Sequence, residues 1–225
     1  MTKLPLPNPA PTVFPFRTVD RDRVAITEFP GRRLRITIDH EPLAGVTPDM
    51  LLWWFSNIGG DMAYAGASYT RYTVWHPLDH IHWALARQAP GGGAAEGARF
   101  RIVEAMGRDE RYRVDGVDRV EKLDRTGIRL VQRVAGGMVF QLEHTWSEGR
   151  GRTHYVSVLD LGGRSALARP LNAYLRSRVF TPGIEQAWVR HNVEEVGRLE
   201  HFLPGLYEQH TRSAQRPVGL GPERL

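Results

Sequence analysis

Cysteine is absent from all 225 residues, which removes disulfides, thiolate metal sites and cysteine nucleophiles together. The same absence fits a reducing compartment. The opening residues, MTKLPLPNPAPTVFPF, lack the basic stretch and apolar core of a secretory signal, so the expected location is cytoplasmic. No apolar run approaches the ~20 residues that span a bilayer, and no membrane partner is expected. Lysine is nearly missing, occurring only at Lys3 and Lys122, so arginine carries the net charge of +5. Those arginines alternate with acids, as in GRDERYRVDGVDRVEKLDR, the pattern of a solvated mixed surface rather than a basic stripe. Nucleic acid is therefore not an expected partner either.

What is present is an ordinary soluble composition on a chain long enough to bury a substantial core. The proline-rich start to about Thr12 reads as an extended arm lying on the body. Leu34–Ile38 alternates and reads as a strand. Thr47 is placed to cap a helix with Pro48 at its first position, stopped by Gly59-Gly60. Tyr69–Trp75 reads as a short strand leading into HPLDHIHW. Five β segments follow, at Arg99–Met106, Tyr112–Lys122, Ile128–Val134, Met138–Trp146 and Arg152–Leu161. Short links such as Ala135-Gly136-Gly137 imply antiparallel hairpins. Arg164–Arg178 reads as an arginine-rich helix interrupted by Pro170, and Ile184–Leu203 as a long amphipathic one. This order predicts an α+β fold, a curved antiparallel sheet around a long C-terminal helix, with a cavity between them. Residues 1–45 are expected to form an N-terminal extension, 46–210 the main domain and 211–225 a flexible tail.

Periodicity exposes polar residues on apolar faces. In Ile184–Leu203, His191 and Glu195 share a stripe with Ile184, Ala187, Trp188, Leu199 and Phe202. In Arg99–Met106, Glu104 points the same way as Phe100, Ile102 and Met106; in Met138–Trp146, His144 points with Phe140, Leu142 and Trp146. A buried ionised carboxylate is costly unless paired or bound to a metal. Glu104, His191, Glu195 and one histidine of HPLDHIHW would supply two nitrogens and two carboxylates. That set suits Zn²⁺, with Mn²⁺ or Fe²⁺ as the other candidates. His80 and His82 would share one side of an extended chain, and His76 and His80 would lie one turn apart in a helix; local spacing does not choose between them. Each residue also has a plainer reading, as a hydrogen-bonded core histidine or a carboxylate paired with arginine.

WHPLDHIHW, RIVEAMGRDERYRV, the LEHTW strand end and RHNVEEVGRLEHFLPGLY resemble the diacetylphloroglucinol hydrolase family, which includes phloretin hydrolase. The resemblance spans about Leu51–Tyr207. It implies a Bet v1-like, START-type helix-grip fold with an N-terminal extension. It also implies zinc-dependent hydrolysis of the carbon–carbon bond between a polyhydroxylated aromatic ring and an acyl group. Carried onto this chain, it places metal ligands at His80, Glu104, His191 and Glu195. His80 is preferred to His76 because a substrate-contacting tyrosine eight residues earlier then falls on Tyr72. His144 matches the pocket histidine, and Tyr155 corresponds to a second pocket tyrosine. Trp83 stands where the family has an asparagine. Tyr72, His144 and Tyr155 are thus the expected catalytic residues, and Trp53, Trp54 and Phe55 could wall an aromatic pocket or simply pack the core. The expected partner is a small aromatic substrate; a homodimer is compatible with the sequence. Two other classes fit the same fold: a non-catalytic binding protein for an apolar aromatic ligand, and a metal-dependent decarboxylase or esterase.

Overall fold

The structure, a computed structural model, describes residues 3–215. Eleven strands are found among them: β1 Arg23–Phe29, β2 Arg33–Asp39, β3 Leu43–Ala44, β4 Asp61–Tyr64, β5 Ala67–Thr70, β6 His80–Arg87, β7 Arg99–Ala105, β8 Arg113–Asp124, β9 Gly127–Val134, β10 Gly137–Gly149 and β11 Arg152–Leu161. The α-helices are α1 Pro48–Asn57, α2 Arg71–Trp75, α3 Arg169–Tyr174 and α4 Pro182–Gln215. The main sheet runs β1-β2-β11-β10-β9-β8-β7-β6, with β3 added to β11, and β4–β5 form a separate hairpin. Every pairing is antiparallel. The result is the α+β helix-grip arrangement, a Bet v1-like fold, with α4 held by the sheet.

Local chemistry accounts for the elements that frame the site. Thr47 Oγ1 accepts from the Met50 N–H at 3.3 Å, satisfying a free donor at the start of α1. The β9–β10 turn has Ala135 at φ 47° and Gly136 at φ 79°, the two left-handed residues of a turn matched to strand twist. Inward-facing Leu34, Ile36, Ile38 and Leu159 pack on Trp188 and Val193 of α4. Trp54, Phe55, Trp75, Trp146 and Leu199 form a second, aromatic core farther along the same helix.

Four expectations need correction. The boundary at residue 45 falls inside the body, because β2 pairs with β11 and Leu34, Ile36 and Ile38 are core residues. Only the segment before β1 behaves as an arm. Its Leu4 and Leu6 cover Ile81, Val103 and Ala105 on the outer sheet face. Tyr69–Trp75 is not one strand: Thr70 caps a helical turn by accepting from Thr73 N–H, so Arg71–Trp75 become α2. The expected helix at Arg164–Arg178 is split into a 3₁₀ turn, α3 and a π turn over Leu175–Val179. Finally, α4 runs past Leu203 and carries Pro204 within it. The lost N–H there removes one hydrogen bond, while Leu203 and Leu206 on either side pack on the core. Residues 211–215 of the expected tail are helical, and 216–225 lie outside the described residues.

Candidate metal centre

Three of the four expected metal ligands, His80, His191 and Glu195, meet at one buried point, and the fourth, Glu104, stands beside them. His80 opens β6, Glu104 is its directly paired partner on β7, and His191 and Glu195 lie one turn apart on α4. His80 Nε2 is 3.5 Å from Glu104 Oε1 and 3.4 Å from Glu195 Oε2. His191 Nε2 is 3.6 Å from Glu104 Oε2 and 3.7 Å from Glu195 Oε2. These separations are too long for hydrogen bonds, and the buried His80 Nε2 has no hydrogen-bond partner among the described residues. Four donors held tetrahedrally at the roughly 2.0–2.2 Å typical of zinc would stand about 3.3–3.6 Å apart. The donors of His80, His191 and Glu195 are therefore grouped as a divalent ion requires, and Glu104 offers a second carboxylate beside them.

The other nitrogen of each histidine is already committed. His80 Nδ1–H donates to the Tyr72 carbonyl at 2.7 Å, and His191 Nδ1–H donates to Asp79 Oδ2 at 3.0 Å. Each bond fixes the tautomer that leaves Nε2 free to ligate. Asp79 is itself anchored by the Gly107 N–H at 2.8 Å, and Asn192 donates to Glu195 Oε1 at 2.6 Å. The Tyr72 hydroxyl donates to Glu104 Oε1. His76 is occupied differently: its Nδ1 accepts from Asp79 N–H at 3.2 Å and its Nε2 meets Glu194 Oε2 at 3.0 Å. With both nitrogens engaged, His76 braces the loop. It also stands with Asp79 and His191 in a second cluster of potential ligands, but there Asp79 is the orienting partner of His191.

Electrostatics record a site that is over-supplied with negative charge. Burial alone would depress His191, yet Glu104, Glu195 and Asp79 outweigh it and carry its pKa to about 10. Burial lifts Glu195 to about 7 despite the opposing pull of His191 and Asn192. Burial likewise lowers His80 to about 4, with Glu104 opposing. Tyr72 is pushed well above its ordinary value by burial and by Glu104, so it remains a proton donor.

A cavity of about 750 Å³ adjoins the centre, with Ile102, Glu104, Asp118, Gln132, Leu142 and Trp188 among its walls. That volume accommodates a one- or two-ring ligand. Of the four donors, only Glu104 lines it. Trp53, Trp54 and Phe55 do not line it. Trp54 packs against Trp75 and Phe202, Phe55 stacks on Trp146, and Trp53 lies tilted against His210 and edge-on to Tyr207. Trp83 lies edge-on to Phe100 at 4.9 Å and also stays outside the cavity.

His144 and Tyr155 form a neighbouring group rather than part of the donor cluster. They face each other from β10 and β11 with ring centroids 5.4 Å apart. Burial and Glu195 raise the Tyr155 pKa, and its buried hydroxyl has no hydrogen-bond partner among the described residues. Burial, with His40 adding to it, lowers His144 to about 3.

Sequence inspection missed Asp79, although it sits inside HPLDHIHW. It also missed Asp118, which alternation would have found: Val114, Gly116, Asp118 and Val120 share one face of β8. Asp118 is buried and accepts from Gln132 Nε2 at 2.9 Å. Burial raises its pKa to about 6, with the Gln132 bond opposing.

No protein-family model and no curated protein matches this chain. Similar solved structures include KanY at 9% identity and a TM-score of 0.49, over 81% of this chain and 97% of that one. A START superfamily protein from Mycobacterium smegmatis shows 10% identity and a TM-score of 0.43, over 79% and 98%. Ara h 8.0201 shows 10% identity and a TM-score of 0.38, over 71% and 97%. At such identities none of them speaks to an activity or a ligand.

Proposed function

We propose that this chain is a metal-dependent hydrolase that cleaves the carbon–carbon bond between a polyhydroxylated aromatic ring and an acyl group. His80, Glu104, His191 and Glu195 would hold the ion, best suited to Zn²⁺, with Mn²⁺ and Fe²⁺ also accommodated by nitrogen and oxygen donors. The observation that carries this reading is that the His80 and His191 Nε2 atoms each stand 3.4–3.7 Å from an oxygen of Glu104 and from Glu195 Oε2, without hydrogen bonds among them. A binding protein of the same fold needs the cavity but gains nothing from two buried carboxylates beside two oriented imidazoles.

The bound ion would supply Lewis acidity toward the acyl oxygen or a bound water. The reaction adds the hydroxyl of water to the acyl carbon, breaks its bond to the ring and delivers a proton to the ring carbon. The protein's own groups are suited to its parts. The Tyr72 hydroxyl, protonated and donating to Glu104, holds a proton beside the donor cluster. Leu142, Trp188 and Ile102 give the cavity an apolar wall for a ring.

Metal content of the purified protein, followed by a screen of acylphloroglucinols for release of the short carboxylic acid, tests this. Near-stoichiometric divalent metal and acid release support it. Absence of metal after purification without chelators overturns the whole reading. Metal without any turnover would leave the centre and remove the reaction.

A further inference from the structure

We propose that Asp118 and Gln132 form a second polar site in the cavity, one that reads a hydroxyl group on a neutral ligand. The site lies where the sheet divides. β8 pairs with β9 only from Arg119↔Val131 to Asp124↔Gly127. Before Arg119, β8 is held by β7; after Val131, β9 is held by β10. The two leaves part around the cavity, whose walls include Val114 and Gly116 of one and Val134 and Val139 of the other. Asp118 and Gln132 are the first residues no longer paired across the β8–β9 seam, and their side chains bridge the fork. Gln132 Nε2 donates to Asp118 Oδ1 at 2.9 Å. Gly116 leaves room for that amide, since a Cβ there would stand 3.0 Å from Gln132 Nε2.

Bracing the fork takes one hydrogen bond, which a pair of amides would supply. A carboxylate costs more. Asp118 is only 6% exposed, and an ionised carboxylate is unfavourable to bury unless its lone pairs are satisfied. The Gln132 bond satisfies one of about four acceptor positions, and no other hydrogen bond to this carboxylate is found among the described residues. What Asp118 offers a ligand is therefore an acceptor, which a hydroxyl hydrogen satisfies. An anionic ligand group is repelled by the carboxylate itself. A cationic one is opposed by Arg99 and Arg119, which line the same cavity without an acidic partner among the described residues. Asp118 is paired with Phe100, four residues along β7 from Glu104, roughly 13 Å at about 3.3 Å per residue. The hydroxyl it reads is thus remote from any part of a ligand held at the metal centre. The site requires the cavity but neither the ion nor the proposed reaction, so binding alone tests it.

Isothermal titration calorimetry of the full-length protein compares 4-propylphenol with 4-propylanisole. At pH 8 Asp118 is ionised, burial having raised its pKa only to about 6. The phenol should bind at least about tenfold more tightly, because the ether leaves a buried carboxylate unpaired. Asp118→Asn keeps an oxygen for Gln132, and so keeps the brace, but turns the second acceptor into a donor. The preference should then fall to roughly twofold or less, because an amide N–H donates to a phenol or an ether oxygen alike. A purely bracing role would leave the ratio unmoved. No binding of either compound, equal affinities in the wild type, or a preference that survives in Asp118→Asn overturns the site. So does tighter binding of 4-propylbenzylamine, a cation at this pH. If Asp118→Asn does not fold, wild type labelled with ¹⁵N-glutamine decides. Its Gln132 side-chain amide, assigned by its loss in Gln132→Met, should shift with the phenol and not with the ether, and an equal response overturns the site. Neither arm depends on metal content, so failure here leaves the metal centre standing.

Discussion

Replacing Glu195 by glutamine should raise the stability of the metal-free protein above pH 7 while abolishing its stabilisation by metal. Without a cation, burial raises Glu195 to a pKa near 7, with His191 opposing it and Asp79 adding to it. The folded value lies above the ordinary carboxylate range, so the folded state holds the proton more tightly than the unfolded chain does. Stability from this group is present below about pH 4.5 and is lost as pH rises to about 7. At pH 8 the integrated cost is of order 3 kcal/mol. Glutamine keeps the shape and removes that cost, although its amide must turn to accept from Asn192, which now donates to Oε1. With metal, the sign reverses. An ion at 100 times its Kd stabilises the fold by about 2.7 kcal/mol, or roughly 5–11 °C in Tm for a chain of this size. The variant should lose most of that increment because it offers a neutral, weaker ligand. Thermal unfolding at pH 8 with EDTA and with added Zn²⁺ reads both halves. A lower Tm for Glu195→Gln in EDTA together with an undiminished zinc increment would refute the argument, since Glu195 would then be a structural partner of His191 and not a ligand.

Three further outcomes concern Arg198, Gly59 and His144. Arg198 is fully buried and donates to the carbonyls of Phe14, Val74 and Trp75 and to the Tyr64 hydroxyl. Arg198→Met should cost about 3–5 kcal/mol in chemical denaturation and expose the arm before β1 to limited proteolysis, because these acceptors lose their donor. A Cβ on Gly59 would lie 2.2 Å from the Trp83 ring, so Gly59→Ala should cost about 1–3 kcal/mol through overpacking, and Gly59→Ala with Trp83→Leu should recover part of it. His144 has a folded pKa of about 3 against about 6.5 when unfolded. Its stabilising contribution is therefore complete above about pH 6.5 and lost toward pH 3 at about 1.4 kcal/mol per unit. Between pH 6.5 and 4, stability should fall less steeply in His144→Gln than in the wild type, as followed by urea titrations.

The parts of the fold legible in the sequence were those written locally. Thr47 and Pro48 announced α1, the Ala135-Gly136 link announced the β9–β10 turn, and the 3.6-residue stripe announced α4. What misled was pairing at long range. LRITI reads as a strand, but nothing nearby shows that its partner is β11, some 120 residues later; the strand was therefore assigned to an extension. In Tyr69–Trp75 the β-favouring residues argued for a strand, and a single Thr70 side-chain cap overrode them.

The candidate site divides along the same line. Glu104, His144, His191 and Glu195 were visible because each breaks an apolar pattern on its own element, and burial turns such a break into a demand for a partner. His80 had no such signature. Its preference over His76 comes from the family resemblance, which implies a tyrosine eight residues earlier and so points to Tyr72, and in the fold the two histidines differ by what their nitrogens touch. Asp79 breaks no pattern that spacing could detect, because it is recognised only through a partner distant in the chain. It serves His191 across 112 residues. A sequence thus exposes the groups that need explaining sooner than the groups that satisfy them. His80 Nε2 still lacks a hydrogen-bond partner among the described residues, with His191 Nε2 and oxygens of Glu104 and Glu195 gathered near it, which is the physical case for a cation among them.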